Sequence, residues 1–135
     1  MAPIIAPVTT STVFPSATSV VIIGGGIIGL TAALALAERN IAVVVLEKGR
    51  IAAEQSSRNL GWVRKTSRHA ADIPLALAAD RLWAQMPERV GADVGYRQEG
   101  IMFLGRTPAQ MAMHESWLKS VEHLSLDSRL LSKRE

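Results

Sequence analysis

An α/β fold is predicted by three features of the sequence. Val20–Ile23 is a β-branched run that stops at glycine, Ile27, Leu30, Leu34 and Ala37 then recur at helical spacing, and Ala42–Leu46 is a second apolar run directly after them. Short, wholly apolar runs read as buried parallel strands, because a parallel sheet is covered on both faces. A strand, helix, strand unit of this length is a right-handed parallel crossover.

Met1–Ser19 is rich in Pro, Ser and Thr and reads as a lead-in segment. Within the crossover, Ala32, Ala33 and Ala35 allow a close-packing helix that ends near Arg39-Asn40. Beyond Gly49 the chain is polar and basic until Asp72, expected to cap a helix with Pro74 in its first turn. Leu75, Ala79, Leu82 and Met86 form that helix's expected buried stripe, and Pro87 its expected end. Tyr96–Gln98 and Ile101–Leu104 flank Glu99-Gly100 as a short hairpin. Thr107, Pro108 and Gln110 then open a last helix through a capping box, with Met111, Trp117 or Leu118, and Val121 on its apolar face. The expected divisions are 1–19, 20–71 and 72–135.

Composition removes several functions. An apolar fraction of 48% with 20% charged residues is ordinary for a globular chain of 135 residues and excludes general disorder. The absence of cysteine excludes a disulfide scaffold, a thiolate metal site, a Cys nucleophile and an iron-sulfur cluster, and leans towards a cytoplasmic setting. A net charge of +3 and few, scattered aromatic residues argue against nucleic acid as a partner. The uncharged stretch Val20–Ala37 approaches spanning length, but its four glycines are costly inside a helix in lipid, and no membrane span is expected. His114 and His123 have no carboxylate company, so no metal site is expected.

The chemistry is concentrated in the crossover. Gly24-Gly25-Gly26-Ile27-Ile28-Gly29 is a G-x-G-x-x-G turn placed between a strand and a helix. Gly24 permits the tight turn, Gly26 lets the backbone approach a diphosphate, and Gly29 lets helix and strand pack closely. The free N–H groups around Ile27 and Ile28, at the positive end of the helix dipole, suit that anion. Glu47 lies at the end of the second strand, eighteen residues after Gly29, where a carboxylate accepts hydrogen bonds from a ribose diol and repels a 2′-phosphate. The fingerprint is Rossmann-like, disfavours NADP and does not separate NAD from FAD. The blander alternatives are a connecting turn and a surface carboxylate.

From Glu47 to Arg64 the chain reads EKGRIAAEQSSRNLGWVR. With VVIIGGGIIGLTAALALAERNIAVVVLEKG, the Ser56-Ser57-Arg58-Asn59-x-Gly61-Trp62 block and the helix and hairpin beyond, it resembles the flavoproteins of the D-amino-acid oxidase superfamily. That group includes sarcosine and glycine oxidases and amino-acid or opine dehydrogenases. The resemblance covers most of the chain, and the Ser-Ser-Arg-Asn block is its more specific part.

The resemblance implies FAD in an extended form. Gly24, Gly26 and Gly29 would serve the diphosphate, Glu47 with Lys48 the adenosine ribose, and Ser56, Ser57, Arg58, Asn59, Gly61 and Trp62 the diphosphate and flavin side. It implies a Rossmann-like FAD-binding βαβ segment joined to the start of an α+β substrate domain. The reaction implied is oxidation of the C–N bond of a small-molecule amino acid or secondary amine by hydride transfer to flavin. Members of the superfamily are considerably longer, so the chain reads as the amino-terminal part of an incomplete fold that needs the remainder of the enzyme or a partner subunit. No catalytic side chain is assigned. The alternative is a non-catalytic FAD- or NAD-binding module or truncated subunit. Arg58, Arg64, Lys65, Arg68 and His69 form a basic cluster that could draw a substrate carboxylate or be only a solvated surface.

Overall fold

The computed structural model describes residues 7–132 and 134–135. The chain divides after Gly61 into two compact units, ten residues before the expected boundary after Ala71.

The first unit is the crossover. Strand β1 (Val20–Ile23), helix α1 (Ile27–Ala37) and strand β2 (Val43–Leu46) follow in order. The strands pair in parallel, with Val20 opposite Val43 and Ile23 opposite Leu46. The residue types account for this arrangement: β-branched residues suit the pleat, and the alanines let α1 lie close to it. Asn40 takes the left-handed conformation at φ 58°, and Ile41 N–H closes on the Leu36 carbonyl (3.1 Å), so the chain turns tightly from helix into strand. Thr18 Oγ1 donates to the Ala42 carbonyl (3.0 Å) and pins the entry to β1 beside the start of β2.

The second unit holds α2 (Ile73–Val90) and α3 (Pro108–Ser120). Among the described residues, the buried apolar side chains are Ile73, Met86 and Val121. Four expectations are corrected here. Asp72 makes no side-chain cap; it closes a 3-10 turn over Ala70–Asp72 that runs into α2, and His69 caps that turn by accepting from Ala71 N–H (3.2 Å). The inward face of α2 carries Ile73, Asp80, Trp83 and Met86, while Leu75 is 76% exposed and Leu82 also faces outward. Asp80 can turn inward because Tyr96 Oη donates to it (2.6 Å) and Lys65 pairs with it. Pro87 does not end the helix, which continues to Val90 and stops at Gly91, left-handed at φ 67°. So close to the C-terminus, proline removes one N–H, and the Pro87 carbonyl still accepts from Gly91 and Ala92 N–H.

The fourth correction is the hairpin, since residues 93–106 carry no strand. A hairpin of three and four residues is marginal without a third strand. The aromatics that signalled it are used elsewhere: Tyr96 stacks on Trp83 with centroids 6.4 Å apart, and Phe103 meets Trp62 edge-on at 6.3 Å. The capping of α3 follows expectation in one arm: Thr107 accepts from Gln110 N–H (3.3 Å), while Gln110 Oε1 reaches back to Arg106 N–H (2.7 Å). Among the described residues no helix is long and apolar enough to cross a membrane.

Much apolar surface stays uncovered. Ile23 is 88% and Ile28 83% exposed, and among the described residues the sheet has two strands. Both outer strand edges therefore present unpaired backbone groups. Expressed as these 135 residues alone, the protein is expected to self-associate or enter inclusion bodies. Size-exclusion chromatography with light scattering checks this, and a soluble monomer with one cooperative thermal transition would overturn it.

Candidate dinucleotide-binding site

The turn between β1 and α1 is built from four glycines with different tasks. Gly24 N–H extends the strand pairing to the Leu46 carbonyl (2.7 Å), and φ of 110° there turns the chain away from the sheet. A Cβ on Gly29 would run into the Gly24 carbonyl and lie 3.1 Å from Ile22 Cγ2, so α1 can approach β1 only as it does with glycine there. Gly26 caps α1 in extended backbone (φ −84°), and a Cβ on it would come within 3.0 Å of Ser56 Oγ. Its restriction is therefore space and not backbone strain. Gly25, which stands at a variable position of the motif, is buried, and a Cβ there would reach 2.5 Å from Ile51 Cδ1.

Helix geometry leaves the N–H groups of Ile27, Ile28 and Gly29 without intrahelical acceptors. Ser56 Oγ accepts from the first of these (2.8 Å). Those of Ile28 and Gly29, with the dipole behind them, remain suited to an anion.

Glu47 is held by both carboxylate oxygens. Oε2 accepts from Gly25 N–H and Oε1 from Gly49 N–H, each at 2.8 Å. The Gly25 bond, then the Gly49 bond, holds its pKa below the usual glutamate value. Each oxygen of an ionised carboxylate can accept more than one hydrogen bond.

Beside this junction lies a cleft of about 350 Å³, lined by Gly24, Gly26, Glu47, Lys48 and Ser56 among others. Ile27 and Ile28 lie outside that lining on α1, both exposed, and Gly29 packs against β1. The rest of the Ser56–Trp62 block is occupied locally. Ser57 Oγ donates to the Glu54 carbonyl (3.2 Å), and Arg58 pairs with Glu54 (3.3 Å) in the open. Asn59 Nδ2 bonds the carbonyls of Gln55 and Ser56, while its Oδ1 takes Gly61 N–H (2.7 Å). Trp62 belongs to the second unit and is 55% exposed. The lining also includes Ala52, Ala53 and Gln55, which sequence reasoning missed because small and neutral residues in a loop carry no chemical signal.

The basic cluster does not converge. Lys65 pairs with Asp80 and with Tyr96 holds that carboxyl below its usual range. Arg64 lies over the Phe103 ring (5.6 Å), and Arg68 Nε donates to the Arg64 carbonyl (2.7 Å). Trp117 Nε1 donates to the Arg68 carbonyl (2.7 Å), so the segment is tied to the helices. Among the described residues no group of three His, Asp or Glu stands together as a metal site.

A parallel crossover with a glycine turn, a helix N-terminus over a cleft and a carboxylate at the end of the second strand defines a dinucleotide-binding α/β segment. The chain belongs to the FAD dependent oxidoreductase (DAO) family, whose pattern matches residues 19–135. It is 29% identical over 134 residues to a glycine oxidase of Geobacillus kaustophilus, covering 84% of this chain and 36% of that protein. It is 28% identical to the mitochondrial pyruvate dehydrogenase phosphatase regulatory subunit of Mus musculus, over 92% of this chain and 14% of that one. The solved L-amino acid deaminase of Proteus vulgaris superposes with a TM-score of 0.81 at 29% identity, over 92% of this chain and 29% of the deaminase. The chain thus spans about a third of the length of these oxidoreductases, and its fold is part of theirs.

The Glu47 bonds have a measurable consequence. A carboxylate with a lowered pKa keeps its stabilising bonds at pH above the unfolded value near 4.5 and loses them as pH falls through the lower folded value. Amide NMR of the complete protein should show Gly25 and Gly49 N–H shifting together, with a midpoint below 4.5. A midpoint at or above that value would mean the bonds are absent in solution.

Proposed function

We propose that this chain forms the FAD-binding start of an oxidoreductase that oxidises the C–N bond of a small-molecule amino acid or related amine. The observation that carries this reading is the Glu47 carboxylate locked to the glycine turn at the edge of a cleft, in a chain that matches an FAD dependent family almost throughout. The N–H groups of Ile28 and Gly29 hold the diphosphate beside Gly24 and Gly26, and Glu47 takes the adenosine ribose diol with Lys48 next to it. Ser56 borders the diphosphate. Ser57, Arg58, Asn59 and Gly61 shape the loop, since their bonds are directed into it, and Trp62 stands on the flavin side by family resemblance. When bound, FAD supplies the two-electron acceptor that converts the amine to an imine, which water hydrolyses. Similarity to the glycine oxidase and the deaminase supports an amino-acid or amine substrate. A cytoplasmic setting fits the absence of cysteine.

Similarity to the phosphatase regulatory subunit favours a second reading, in which the same segment binds the dinucleotide without oxidising an amine. Amino-acid-dependent bleaching of the flavin absorbance in the complete protein separates the two.

Replacing Gly26 by valine should abolish stoichiometric flavin, because the side chain enters the space beside Ser56 that the diphosphate needs. Glu47→Gln should weaken FAD binding about tenfold or more, since a charged acceptor is lost. Flavin content by absorbance and titration calorimetry check both, and a Gly26→Val protein that keeps its flavin would refute the assignment.

A further inference from the structure

Gly25 is enclosed by its own chain on three sides. Its N–H is taken by Glu47 Oε2 (2.8 Å), its carbonyl accepts from Ala52 N–H (2.9 Å), and the Ile51 side chain closes over its Cα. The second of these bonds comes from an unusual backbone. Arg50–Ala53 is a four-residue turn closed by Ala53 N–H on the Arg50 carbonyl (3.1 Å), and Ala52, third in it, stands at φ 58°. That position in such a turn ordinarily requires glycine, because a Cβ is disfavoured at positive φ. A non-glycine residue kept there is held by its surroundings, and such sites cluster where geometry serves function.

We propose that Ala52 is a positioning residue which, with Glu47, clamps the Gly25 peptide from both ends and thereby sets Gly24, Gly26 and the first N–H groups of α1 towards the dinucleotide. The inference rests on the dinucleotide reading given above, and it concerns the backbone of Gly25, which lies outside the cleft lining. Gly25 is fully engaged by protein atoms, so its part is to anchor the cradle. The loop after β2 then does more than connect: it fixes the turn after β1 through one backbone bond, from a conformation that alanine tolerates and a β-branched residue resists.

The test uses the complete protein with FAD and, separately, with NAD. Ala52→Val should weaken dinucleotide binding about tenfold, while Ala52→Gly, which keeps the N–H and removes the strain, should bind as tightly as the parent or more so. Because both groups fix the same residue, Gly25, Glu47→Gln and Ala52→Val combined should weaken binding by clearly less than the product of the single effects. Hydrogen exchange in the ligand-free protein gives an independent readout: Gly25 N–H should be protected in the parent and in Ala52→Gly, and exchange about tenfold faster in Ala52→Val. Unchanged affinity in Ala52→Val, a strict product in the double variant, or weakened binding in Ala52→Gly would overturn the proposal. A parent protein that binds neither FAD nor NAD refutes the dinucleotide reading instead, and the exchange of Gly25 N–H still decides the clamp. Should Ala52→Val not fold, affinity and exchange in Ala52→Gly carry the decision.

Discussion

The first unit depends on one carboxylate. Glu47 leaves the end of β2 and accepts from Gly25 N–H on one oxygen and Gly49 N–H on the other, joining the turn after β1 to the loop after β2. Backbone N–H groups bonded to an ionised acceptor are among the stronger polar contacts a partly exposed site can make. The cleft follows from this junction, because its walls are the two chain segments that Glu47 ties together. In the proposed reading the same carboxylate both builds the site and offers it a polar group.

The glycines divide the work on steric grounds. Gly24 alone of the four has positive φ, so it alone needs glycine for its backbone conformation. Gly25, Gly26 and Gly29 are each confined by a different neighbour: Ile51, Ser56 and the Gly24 carbonyl. Gly29 is the least tolerant, since a methyl group there meets a backbone carbonyl, whereas at Gly25 and Gly26 it meets the side chains of Ile51 and Ser56.

The second unit spends its charge on itself. Lys65, Asp80 and Tyr96 form a polar group at the inward face of α2, and Arg64 and Arg68 brace the segment that leads into that helix. What looks in sequence like a basic patch for a substrate carboxylate is in structure a set of separate ties, each with a protein partner. The uncovered apolar residues of both units, Ile23, Ile28 and Leu75 among them, agree with a chain that is about a third of the length of its oxidoreductase relatives. A segment of that kind cannot bury its own strands on both faces.

Local pattern was enough for the crossover. The extent of β1, the helix after the glycines, the second strand and the glycine turn itself are determined by neighbours within a few residues, through β-branching, helical spacing and the bar to a Cβ at positive φ. The capping of α3 by Thr107 is local in the same sense. Tertiary contacts decided the rest. Of the stripe expected on α2, Met86 is buried but Leu75 and Leu82 stand exposed, while Asp80 is held inward by Lys65 fifteen residues earlier and Tyr96 sixteen later. Tyr96 and Phe103 are ordinary hairpin residues by propensity, and it was ring contacts with Trp83 and Trp62, not strand pairing, that claimed them. The importance of Gly25 and Ala52 had no sequence signal at all. One is a glycine at a position where the motif allows any residue, the other an alanine in a loop. Their roles exist only because folding brings residues 47 and 52 to opposite ends of the same peptide bond pair, a proximity that no local spacing encodes.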